Sequence, residues 1–150
     1  MTVNLLPLKS GRLNQTMNAP KNNEGFRHEL TSLYDRVGGH KFFVELVERF
    51  YQRVETDLGL RSLYPEDLEP GKVHLASFLA QYWGGPRNYS RKRGHPRLRQ
   101  RHMSFPIGHK ERDAWVSHMI DALSSMELSK DEATIMEDYF KSTATFMINR

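Results

Sequence analysis

Between residues 40 and 55 the apolar positions recur at three- and four-residue steps: Phe42, Phe43, Leu46, Val47, Phe50, Tyr51 and Val54. That period gathers them on one face of an α-helix. Tyr51 lies on the stripe, so its hydroxyl is carried into the interior, where an unpaired phenol costs about 1–3 kcal/mol. Ahead of this helix, Thr31 to Val37 can form a short one that stops at Gly38 and Gly39. Behind it, Asp57 to Tyr64 reads as a compact turn or short helix closed by Pro65, because the residue before a proline avoids helical angles. Asp67 or Glu69 opens the next helix, with Pro70 in its first turn and Leu75, Phe78, Leu79 and Tyr82 as its inner stripe. Gly84, Gly85 and Pro86 end it.

From Pro86 to His95 no stripe is present, and Gly94 and Pro96 interrupt the chain, so an extended, largely irregular connection is expected. Arg97 to Met103 can make about two helical turns. A helix follows from about Gly108 to Met126, its inner face marked by Trp115, Met119, Ala122 and Met126 with Val116, Ile120 and Leu123 beside them. Ser129 and Glu132 form an S-x-x-E capping box before a last helix that is expected to bury Ile135, Met136, Tyr139, Phe140, Phe146 and Met147. No segment alternates with period two, so the fold class is all-α. Residues 1–30 hold no sustained period; they read as a flexible N-terminal arm, with a partner- or membrane-touching arm as the competing reading, before a domain over 31–150.

A chain of 150 residues with 38% apolar positions builds one core and one domain. No apolar run approaches the roughly 18 residues of a membrane span, and no secretory leader is evident, so a soluble cytoplasmic protein that engages no membrane is expected. The absence of cysteine removes disulfides, thiolate metal sites and thiol nucleophiles, leaving histidine as the strong neutral ligand for a transition metal.

Charge changes the picture more. Of the formal +4, residues 70–110 supply nine positive charges and no negative one, leaving a net −5 for the rest. The cations are Lys72, Arg87, Arg91, Lys92, Arg93, Arg97, Arg99, Arg101 and Lys110, with His102 in their midst. Such a segment suits an anionic prosthetic group held beside a ligating histidine, or a nucleic-acid backbone. For the second, Arg87 to Arg101 with Tyr82, Trp83 and Tyr89 could grip a single strand by charge and stacking. It matches no helix-turn-helix or other reading motif, and no nucleic-acid partner is expected.

Any of the seven histidines taken alone is more often a surface or core residue than a ligand. His102 stands out because it sits on a short helix between proline-bounded ends, and because flanking arginines oppose an imidazolium while favouring an anion. As an iron ligand it needs its second ring N–H fixed by a carbonyl. Zinc fits poorly: there is no H-E-x-x-H or H-x-E, and the segment lacks carboxylates. A single protein ligand suits haem, whose porphyrin brings four donors and whose propionates match guanidinium groups.

The sequence resembles the group II truncated haemoglobins. The likeness runs from Leu33 to Asn149 and is carried by Tyr34 with Gly38 and Gly39, by Phe50 and Tyr51, by Leu63-Tyr64-Pro65, by FLAQYWGGPRNYS at Phe78–Ser90, by RGHPRLRQRH at Arg93–His102, and by RDAW at Arg112–Trp115. It implies a two-over-two helical sandwich binding haem b, with His102 as the iron ligand. It further implies Tyr51, Tyr64 and Trp115 as donors to a bound gas, and Leu75, Phe78, Tyr89, His95, Arg97, Arg99 and Trp115 as cofactor contacts. The stretch between Pro65 and Leu75 is one residue shorter than the family pattern, so a place for Gly71 at the pocket gate depends on where the gap falls. Gln100 stands where the family often has methionine. The resemblance implies O2, NO and CO as ligands, with tight oxygen binding put to redox use such as NO detoxification or peroxidase-like chemistry. Such use calls for a reductase, and a homo-oligomer fits the family. Gas sensing or redox signalling through the N-terminal arm is the alternative.

Overall fold

The computed structural model describes residues 31–150; the arm expected over residues 1–30 lies outside them. The described residues form eight helices with no strand: α1 Leu33–Val37, α2 His40–Thr56, α3 Leu58–Arg61, α4 Glu69–Tyr82, α5 Asn88–Arg93, α6 Leu98–His102, α7 His109–Ser124 and α8 Lys130–Phe146. The long ones pair as two layers, α2 with α4 and α7 with α8, and α2 lies against α7 between them. None is long and apolar enough to cross a membrane.

Local chemistry explains the boundaries. Ser32 Oγ accepts from Asp35 N at 3.2 Å to start α1. Gly38 and Gly39 take φ of 109° and 80°, values glycine adopts without steric cost, and so swing the chain from α1 into α2. Every residue of the predicted α2 stripe is buried. Asp57 ends α2 and caps α3, its Oδ1 accepting from Leu60 N at 3.2 Å. The Arg61 guanidinium then donates to the carbonyls of Tyr64, Pro65 and Glu66 at 3.3, 2.9 and 2.9 Å, which fixes the loop that bears Tyr64. At α4, Asp67 accepts from Glu69 N at 3.1 Å, so the acid expected to open the helix acts just ahead of it.

Two expectations are corrected. The connection from Pro86 to His95 is not irregular throughout: Asn88–Arg93 is helical. Gln81 on α4 holds this helix through Ser90, with Ser90 N donating to its Oε1 at 2.9 Å and its Nε2 donating to Ser90 Oγ at 2.6 Å. Ile135 is 47% exposed rather than interior, while Met136, Phe140 and Met147 of the same set are buried and Tyr139 and Phe146 half-buried. Helix α8 turns only a narrow face inward, and Ile135 falls beside it.

Aromatic rings in contact run through the core. Trp83 meets Phe43, Tyr139 and Phe140 at ring separations of 5.9, 5.1 and 5.7 Å, and Trp115 meets Phe50 and Phe140 at 5.1 and 5.9 Å. At the start of α8, Ser129 Oγ accepts from Glu132 N at 3.2 Å. Ser129→Ala is expected to cost about 1 kcal/mol, read as a fall in melting temperature of about 2–4 °C; an unchanged melting temperature would show the cap to be idle.

Candidate functional site

Between the layers lies a cavity of about 350 Å³, a size typical of small-molecule and cofactor sites. His102, Tyr51, Tyr64, Trp115, Leu75, Phe78 and Tyr89 all line it. Residues from six separate stretches of chain thus converge on one space.

His102 ends α6, and its Nδ1 lies 2.5 Å from Leu98 O. A carbonyl only accepts, so Nδ1 carries the proton and Nε2 of the neutral ring presents a lone pair. The backbone around it is splinted by Asn149, whose Nδ2 donates to His102 O and Phe105 O at 3.2 and 2.8 Å while its backbone N and side-chain Oδ1 pair with Ile107. Sequence reasoning gave no hint of Asn149, because a hydrogen bond spanning 47 residues leaves no local pattern.

The phenols face the same space. Burial pushes the Tyr51 hydroxyl up to about 12, with Lys72 pulling weakly the other way. Its Oη finds no hydrogen-bond partner among the described residues, and its ring is held edge-on by Phe50 and Tyr64 at 5.5 and 5.7 Å. Tyr64 is raised further by burial and by Tyr51, against a smaller opposing effect of the Trp115 indole, whose N–H reaches toward the Tyr64 oxygen. Both phenols therefore keep their protons at neutral pH and each retains an O–H able to donate. Gly71 does reach the cavity wall: a Cβ there would meet Tyr51 Oη at 2.7 Å, so the close approach of α4 to Tyr51 requires glycine.

Asp57 and His118 brace this side from behind. Asp57 Oδ2 accepts from His118 Nε2 at 2.8 Å while its Oδ1 caps α3, so one carboxylate joins the corner that bears Tyr64 to α7, which bears Trp115. The bond from His118 holds the Asp57 carboxyl below the ordinary aspartate value of 3.8, helped by the Leu60 amide.

At the rim, the structure separates the arginines. Arg93, Arg101 and Arg112 line the cavity, with Arg101 Nε and Nη2 donating to Pro96 O and Arg93 O at 2.8 and 3.3 Å; His95, Arg97 and Arg99 are not in its lining. His95 Nδ1 accepts from Arg97 N at 3.1 Å, and Arg99 is spent on Phe146 O and Ile148 O with its guanidinium 5.7 Å from the Phe146 ring. Arg93 Nη1 donates to His74 Nε2 at 3.2 Å, and burial together with Arg93 and Arg101 lowers the His74 pKa, keeping that ring neutral. A guanidinium has no acceptor, which fixes the direction of this bond.

The lining thus suits a flat apolar ligand with anionic groups at one edge and a centre able to take an imidazole lone pair. Leu75, Phe78 and Leu98 supply the apolar wall, Arg93 and Arg101 the cationic edge, His102 the lone pair, and Tyr51 and Tyr64 the donors. Iron protoporphyrin has this description.

Comparison with known proteins agrees. The model of the family described as bacterial-like globin matches residues 32–149. The group 2 truncated hemoglobin YjbI of Bacillus subtilis is 36% identical over 117 residues, covering 78% of this chain and 88% of that protein. The crystal structure of the hemoglobin from Chloroflexus aurantiacus superposes with a TM-score of 0.79 at 52% identity, covering 80% of this chain and 99% of that one. The structure of a truncated oxygen-avid haemoglobin from Bacillus subtilis gives 0.75 at 35% identity, covering 79% and 100%.

Proposed function

Because this chain belongs to the bacterial-like globin family, whose two-on-two helical fold it shares and whose members bind oxygen through haem, we propose that it binds a single haem b through His102. We propose further that it holds oxygen tightly for redox use rather than delivery. The observation that carries the reading is the pairing of a tautomer-locked His102 with the unpartnered Tyr51 hydroxyl across one cavity. A chain without cysteine has no thiol to form the thioether links of c-type haem, which supports a haem held without covalent attachment.

When bound, haem supplies an iron that coordinates O2, NO or CO and shifts negative charge onto dioxygen. His102 presents Nε2 to that iron, and Leu98 O keeps the ring oriented and basic. Arg93 and Arg101, which line the cavity, would pair with the propionates. Tyr51, Tyr64 and Trp115 would donate toward the ligand, and Leu75 and Phe78 would exclude water beside it. Hydrogen bonds to a charged acceptor are worth about 1.5–3 kcal/mol each, enough for partly additive donors to slow release by several orders of magnitude. A protein that releases oxygen so slowly is better suited to oxidising nitric oxide to nitrate, or to peroxide-dependent oxidation, than to transport.

The test is a visible spectrum of the purified protein, reduced and then exposed to carbon monoxide, followed by the oxygen off-rate. A colourless protein, or fast release, rules the reading out. With both phenols raised above the ordinary tyrosine value of 10.0, the donors stay protonated through the mildly alkaline range. The off-rate is therefore expected to stay flat from neutral pH to about pH 10, the unperturbed tyrosine value. An increase that titrates near pH 8 would assign the donation to other groups.

A further inference from the structure

The cavity uses only part of the basic segment. Arg93 and Arg101 line it, and Arg99 is tied to the carbonyls of Phe146 and Ile148. Arg87, Arg91, Lys92 and Arg97 are exposed. Among the described residues their side chains have no hydrogen bond, ion pair or ring contact. No carboxylate exists between residues 70 and 110 to offset them.

Arg87 and Arg91 stand one helical turn apart, where like charges repel. Arg87 is at the N-cap of α5, the end at which a helix disfavours positive charge. The left-handed backbone of Arg97, with φ of 44°, serves the start of α6, where its N donates to His95 Nδ1 and its O accepts from Arg101 N, but its guanidinium is left in solvent. Self-repulsion kept in one place, with no carboxylate among the described residues paired to these four side chains, directs attention to a partner outside the fold.

We propose that the outer face of α5, with Arg97 beside it, docks an acidic protein carrying single electrons. This rests on the haem reading above. Tyr89 and Arg93 on the inner side of α5 line the cavity, so a partner seated on the outer side lies one helix thickness, about 10–12 Å, from it. Over that span one electron leaves the partner's reduced centre and turns one ferric iron ferrous, with no proton or leaving group. A protein is favoured over a nucleic acid because the nearby rings are largely withdrawn: Tyr89 is 5% and Trp83 9% exposed, and the half-buried Tyr82 ring is already packed on Tyr139 at 4.2 Å. A small, charge-steered patch also suits the low-area, fast-exchanging contacts of electron carriers.

The test uses the haem-loaded protein and an acidic plant-type [2Fe–2S] ferredoxin as probe. Binding is measured by calorimetry with the oxidised ferredoxin, and reduction of the ferric protein by stopped flow with the reduced one. The combined substitutions Arg87→Glu, Arg91→Glu, Lys92→Glu and Arg97→Glu are expected to weaken binding by about 100-fold, and the same set to Gln by about tenfold. Binding by the unaltered protein is expected to weaken as salt rises past about 0.1 M, where charges about 10 Å apart are screened. Reduction should slow in step, with the carbon monoxide spectrum and oxygen off-rate unchanged. A haem-loaded protein whose ferredoxin affinity ignores both sets overturns the docking surface alone. So do substitutions that abolish binding to a single-stranded oligonucleotide or to phosphatidylserine vesicles yet spare ferredoxin. A protein that takes up no haem overturns the reading beneath it as well.

Discussion

Replacing His102 with glycine is expected to cost the protein its haem. Of the two imidazoles in the cavity wall, His102 keeps its lone pair free, with the Nδ1 proton held by Leu98 O at 2.5 Å, whereas the His74 Nε2 lone pair is taken by Arg93. Loss of groups that merely orient a metal ligand commonly costs about 10–100-fold in affinity, so loss of the ligand itself should exceed about 100-fold. The fold should survive, since His102 is only half-buried and lies outside the hydrophobic core. The measurement is haem transfer to an acceptor protein together with the ferrous spectrum, with far-ultraviolet circular dichroism to confirm the helices. Added imidazole should restore pigment by filling the vacated space. Retention at the original affinity with an unaltered spectrum would end the haem assignment for this residue.

The second large effect belongs to Tyr51 and Gly71 together. Tyr51→Phe removes a donor with no partner inside the described protein and should speed oxygen release by about 10- to 150-fold, the equivalent of a hydrogen bond worth about 1.5–3 kcal/mol. Gly71→Ala keeps the hydroxyl but puts a methyl 2.7 Å from it, and the ring cannot yield freely because Phe50 and Tyr64 hold it edge-on. That change should raise the off-rate by a comparable factor. With Phe at 51 the clashing oxygen is gone and the nearest remaining ring atom is at 3.7 Å, an ordinary contact, so Gly71→Ala should add little there. The pair should thus be strongly non-additive in a double-mutant cycle. Additive effects would mean that Gly71 acts on the site by some other route.

Much of this was legible because it repeats locally. The α2 stripe from Phe42 to Val54 announced its buried face by period alone, and Tyr51 came with it. The caps at Ser129 and the turn at Gly38–Gly39 follow from side-chain and backbone chemistry within a few residues. Helix α5 was not legible: only Tyr89 is buried in it, and its anchor is a pair of hydrogen bonds from Gln81 nine residues away. Which arginines line the cavity was not legible for a related reason. Gly94 and Pro96 break the phase between α5 and α6, so spacing could not tell that Arg93 and Arg101 face inward while Arg97 and Arg99 do not. That His102 needs a carbonyl could be stated in advance; that Leu98 supplies it could not.

The carboxylate shared between the α3 cap and His118 has a consequence for how ligand residence can be tuned. Asp57 sits at a corner and His118 one turn beyond Trp115, both away from the gas, yet they tie the two walls that carry Tyr64 and Trp115 into one rigid unit. The gap between those donors is therefore governed from near the protein's exterior. Changes at this remote joint can lengthen or shorten the stay of a bound gas while every atom that touches it is left as it was.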